Sequence, residues 1–160
     1  MTRLFQSITT AAALVLAFAG TSIAEPKVSQ QTKVYEVTAT SVNGLIEQMN
    51  KRGPRGYWAF TEWHVRWSRS CKLEVDVAYI LPQHANPSAM PAQVRRKFDA
   101  MLTALTQHEA QHGLHSIQAA REIEADKCQN GDAIIRRYNA ADIAFDAQTN
   151  HGVKDGATLR

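Results

Sequence analysis

The chain has 160 residues, 44% hydrophobic and 21% charged, with 18 Lys+Arg against 15 Asp+Glu. Such a composition suits one globular domain and excludes disordered, collagenous and low-complexity classes. A formal net charge of +3, with no basic run longer than Arg95-Arg96-Lys97, argues against nucleic acid as a partner.

Residues 1–24 read as a cleaved signal peptide. Arg3 gives a short positive start, Ile8 to Ala19 is uncharged and apolar, and Ser22-Ile23-Ala24 offers small residues where a signal peptidase reads. The apolar run is shorter than the roughly 20 residues a membrane-spanning helix needs. The reading is therefore a domain over residues 25–160, periplasmic or secreted, with no stable membrane insertion after cleavage. In an oxidising compartment, Cys71 and Cys128 form the single available intramolecular pair, closing a loop of 57 residues.

In chain order, Thr32 to Thr40 is rich in β-branched residues and reads as a strand. Ser41 caps a short helix through Val42, Leu45, Ile46 and Met49, which ends at Gly53-Pro54. Tyr57 to Trp67 alternates, and so does Leu73 to Leu81, predicting two amphipathic, antiparallel strands. Pro82 is expected to stop the second. The aromatic residues Trp58, Phe60, Trp63 and Trp67 suit a core or a groove, the core being the commoner use.

From Pro91 the period becomes helical. Val94, Phe98, Met101, Leu105, His108, His112 and His115 fall on one stripe of a long helix reaching about Lys127, with Gly113 a weak point within it. A second helix follows Asn130-Gly131 through Ile134, Ile135, Tyr138 and Ile143, and the chain closes in a short polar tail. The expected architecture is α+β: a small antiparallel sheet packed against the long helix and a C-terminal helix.

The chemistry lies in His108-Glu109-Ala110-Gln111-His112. On a helix, residues four apart sit one above the other, so both imidazoles reach one cation. One Zn²⁺ is the expected cofactor, since zinc takes such nitrogen ligands and keeps a position open for water. Glu109 is then the general base of a metal-assisted hydrolysis. The third ligand is assigned to His151, which follows the last helix beside Gly152 and belongs to no apolar pattern. Asp146, Glu122, His64, His84 and His115 are the alternatives. His115 stands about 10.5 Å along the axis from His108, too far for one ion on a straight helix.

Residues Val34-Tyr35-Glu36-Val37, the run Trp58 to Trp67, Tyr79-Ile80-Leu81-Pro82, the histidine motif and Asp146-Ala147-Gln148-Thr149-Asn150-His151-Gly152 together resemble one bacterial family. This is the bacterial domain of unknown function number 922, described as predicted secreted zinc-dependent proteases. The resemblance covers about residues 32–159 and implies a single zincin-like metallopeptidase domain acting on a protein or peptide substrate. The sequence departs from metzincins, with Gln118 where that group has its third His. It also lacks the thermolysin-like glutamate on a second helix, where Asp132 and Asp142 stand instead. The rival function is a non-catalytic, metal-bearing binding or assembly module of the envelope. An intact Glu109, which a purely structural ion does not need, favours the hydrolase.

Overall fold

The computed structural model describes residues 25–160, so the expected signal segment lies outside the described residues. In chain order it comprises strand β1 (Lys27–Val37), helix α1 (Val42–Arg52), strands β2 (Phe60–Trp67) and β3 (Leu73–His84), and helices α2 (Ala92–Ala125) and α3 (Gly131–Thr149). Short 3₁₀ turns lie at Pro54–Gly56, Pro87–Ala89 and Val153–Asp155. The class is α+β, as the pattern of periods predicts.

The sheet is mixed, where a purely antiparallel one was expected. Its order is β1-β3-β2; β2 runs antiparallel to β3, but β1 runs parallel to it. β1 also begins at Lys27, earlier than Thr32. The reason is physical: along β1 only Val37 is buried and only Tyr35 half-buried. An edge strand paired through its backbone, with both faces largely wet, leaves no alternation for a sequence pattern to register. β3 likewise continues through Pro82 to His84. β2 pairs with β3 only up to Ile80, so Pro82 has β1 alone beside it, through Tyr35. A missing N–H there costs no ladder bond on the open side.

α1 follows its signals closely. The Ser41 hydroxyl accepts from the Gly44 amide at 3.2 Å, and Leu45 and Met49 face the core. α2 is an unbroken helix of 34 residues, about 51 Å long. Gly113 does not weaken it; it lets the helix lie close to β3, because a Cβ there would stand 2.2 Å from the Tyr79 hydroxyl.

The core has two ends. Beneath α1 it joins Val37, Leu45, Met49, Leu81, Phe98, Met101 and Leu105 with Ala157 and Leu159. The closing segment, expected as a polar tail, therefore belongs to the core. At the far end Leu73, Ala119, Ile123 and Ile134 pack beside the Cys71–Cys128 disulfide, the pairing that cysteine counting predicts. The aromatic residues of the β2 region are half-buried and serve twice. Trp58, Trp63 and Trp67 pack on the clusters, while Trp58, Phe60 and Trp63 also line a cleft.

Candidate metal centre

A tight turn at 126–130, in which Lys127 and Cys128 adopt left-handed φ of 53° and 58°, sends α3 back antiparallel along α2. Two side chains one turn apart on α2 then meet two side chains one turn apart on α3. His108 Nε2 lies 3.0 Å from Asp146 Oδ1, and His112 Nδ1 lies 2.9 Å from Asp142 Oδ1. The two imidazoles approach each other at 3.3 Å between their Nε2 atoms, and His112 Nε2 is 3.3 Å from Asp146 Oδ1.

His108 Nε2, His112 Nε2 and Asp146 Oδ1 thus form a triangle with edges of 3.0, 3.3 and 3.3 Å. Ligands at 2.0–2.1 Å from a tetrahedral zinc stand about 3.3 Å apart, so the donor set fits such an ion in both spacing and chemistry. The hydrogen bond from His112 Nδ1–H to Asp142 keeps the Nε2 lone pair of that ring directed into the triangle. Asp142 also accepts from His115 Nδ1 at 2.6 Å and from Trp63 Nε1 at 2.8 Å. Burial opposes its charge, but the bonds from His112, His115 and Trp63 outweigh burial and hold the carboxyl below its ordinary range.

The two rings are driven in opposite directions. Burial and the neighbouring His112 push His108 down, against the pull of Asp146 and Asp155. Burial would lower His112 as well, yet the Asp142 hydrogen bond and the charges of Asp142, Asp146 and Glu109 push it up. Glu109 is buried beside the pair. The Thr61 hydroxyl of β2 stands 2.7 Å from its Oε2 and 3.0 Å from its carbonyl oxygen. Burial raises the Glu109 carboxyl above its usual range, with the Thr61 bond opposing.

His151, the expected third ligand, lies outside both groups of donors that meet within 4.8 Å among the described residues; Asp146 completes one with His108 and His112, and Asp142 completes the other with His112 and His115. Two consecutive left-handed residues, Asn150 and His151 with φ of 52° and 51°, end α3 and carry the ring to the rim. There its side chain is 50% exposed, with Nδ1 3.6 Å from Asp146 Oδ1 and its ring against Tyr57 at 5.1 Å. Of the other candidates, His115 supports Asp142, and Glu122 pairs with Arg137 and Tyr138. His84 is a buried residue bonded to the Ala39 carbonyl and the Asn86 amide, and His64 is exposed on β2.

The triangle sits in a cleft of about 910 Å³. Tyr57 to His64 form one wall, Asn139, Asp142, Ile143 and Asp146 the other, and Leu105, His108, Glu109 and His112 are shared between them. Comparison with known families gives a match to the model described as "Bacterial protein of unknown function (DUF922)" over residues 32–152. The chain belongs to this family. No curated protein and no solved structure matches it.

Proposed function

We propose that this DUF922 member is an exported, zinc-dependent hydrolase that cleaves peptide bonds. The observation that carries the reading is the convergence of two imidazoles and a carboxylate at tetrahedral-ligand spacing, in a cleft that also holds a buried glutamate. His108, His112 and Asp146 would hold the ion, and their nitrogen and oxygen donors suit Zn²⁺. When bound, a divalent cation supplies Lewis-acid chemistry, polarising a carbonyl and making water acidic enough to ionise near neutral pH.

The rest is work for the chain's own residues. Glu109 takes a proton at its carboxylate and later returns it to the leaving amine. Burial supports that role by raising its proton affinity, and Thr61 fixes its orientation. Asp142 holds the His112 ring in one tautomer. β2 lies at an edge of the sheet, and an extended peptide laid along it would pass through the cleft lined by Phe60 to His64. The disulfide fits an oxidising compartment, periplasmic or extracellular. Among the described residues no helix is long and apolar enough to cross a membrane.

The test combines metal content with turnover on a mixed peptide library. The parent protein should carry one zinc ion per chain, and His112→Ala should lose it. Glu109→Gln should keep the ion and lose turnover by about 10²–10⁴-fold, because an amide keeps the shape but cannot accept the proton. A Glu109→Gln protein as active as its parent would overturn the mechanism. Metal binding without turnover on any peptide would favour the binding-module reading.

A further inference from the structure

The two candidate ligands of α2 are supported unequally. His112 directs its outer nitrogen, Nδ1, at Asp142. His108 directs its own into a buried position where, among the described residues, it is the single buried side-chain nitrogen or oxygen with no hydrogen-bond partner. A buried ring nitrogen without a partner is costly, on the order of 1–3 kcal/mol, and native structures seldom keep one without a reason. A carboxylate is nearby, since Asp155 Oδ2 stands 3.9 Å from His108 Nδ1. That is beyond a hydrogen bond but only about 1 Å from closing.

The segment carrying Asp155 is built to lie against this ring. Gly152 has φ of 78° and Gly156 has φ of 99°, both left-handed, so the chain doubles back over the Val153–Asp155 turn. A Cβ on Gly152 would stand 3.0 Å from His108 Cγ and 3.2 Å from Nδ1, so only glycine lets the backbone lie flush on the imidazole. The Asp155 amide donates to the Gly152 carbonyl at 3.0 Å and the Ala157 amide to the same carbonyl at 2.9 Å. Ala157 and Leu159 then anchor the segment in the core.

From the metal-site reading above, we propose that Asp155 is the positioning residue of His108. Its carboxylate closes onto Nδ1–H when a cation engages Nε2, as Asp142 already does for His112. A ligand imidazole whose far N–H is given to a carboxylate is held in orientation and made a better donor. The strap at 152–156 is therefore part of the metal centre, although the matched family region ends at residue 152.

The experiment titrates zinc against a competing chelator in the parent, Asp155→Asn and Asp155→Glu proteins. Long-range proton–nitrogen NMR of the His108 ring is recorded with and without zinc. Asp155→Asn should bind zinc roughly ten- to a hundred-fold more weakly, and Asp155→Glu should recover part of that loss. The downfield Nδ1–H signal of zinc-loaded parent should move upfield in Asp155→Asn. The melting temperature of the metal-free proteins should stay equal, because the Asp155 side chain is 49% exposed. An Asp155→Asn affinity within twofold of the parent, or an unmoved Nδ1–H signal, removes the inference while leaving the metal site in place. A parent protein that takes up no zinc removes both.

Discussion

Asp142 accepts from three donors at once, two imidazoles and an indole, and so links both helices to β2. Replacing it with asparagine puts an NH₂ where a carboxylate oxygen stood, and at least one of the three donors then faces another donor. We expect Asp142→Asn to lose about 1–3 kcal/mol of stability and to bind zinc roughly ten- to a hundred-fold more weakly, as the His112 tautomer is released. A denaturant titration and a chelator competition check the two parts; unchanged affinity would show that Asp142 does not orient the ligand. At this scale the sequence was half legible. The spacing of His108 and His112 announces a chelating pair, because helix geometry is local. The expectation of His151 at the third corner does not anticipate that Asp146 stands closer to the pair, because the place of a carboxylate depends on which helix faces which. The available signal was the matching interval between Asp142 and Asp146, one turn apart like the histidines they meet.

Among the elements, the contact of α2 with β3 decides where the histidines stand. Helix propensity alone favours alanine over glycine by about 1 kcal/mol. At Gly113 the local packing should win, since a Cβ would lie 2.2 Å from the Tyr79 hydroxyl oxygen and 3.0 Å from the ring carbon bearing it. Gly113→Ala is expected to destabilise the protein by about 1–3 kcal/mol. Adding Tyr79→Phe, which removes the oxygen, should restore most of that. Urea unfolding of the two single variants and the double variant measures the coupling, and a Gly113→Ala protein as stable as its parent would refute the close approach. The elements most legible in the sequence are those with one face more covered than the other: α1, β2, most of β3 and α2. The start and direction of β1 are not legible because its faces are wet, and the closing strap is not because Ala157 and Leu159 are too few to form a period.

Taken whole, the molecule is tied at two separate places. The disulfide joins the β2–β3 connection to the α2–α3 turn through Cys71 and Cys128. The triangle joins α2 to α3 further along, and the thirteen residue steps from His112 to Ala125 put about 20 Å of helix between it and the turn. The bridge closes a loop of 57 residues, for which the chain-entropy account gives about 4 kcal/mol of stabilisation. Zinc stabilises in proportion to the logarithm of its free concentration over its dissociation constant, about 2.7 kcal/mol at a hundredfold excess. Sites more than 7–10 Å apart with no shared partner act independently, so the two contributions should add. The cycle to measure compares the parent with the Cys71→Ser/Cys128→Ser protein, each with and without zinc, by urea unfolding. The double serine variant should lose about 4 kcal/mol yet gain as much from zinc as the parent, within about 0.5 kcal/mol. A markedly smaller gain in the serine variant would mean that the bridge orders the α2–α3 pair as far as the triangle. The metal centre would then depend on the disulfide, and on export into an oxidising compartment, for its geometry.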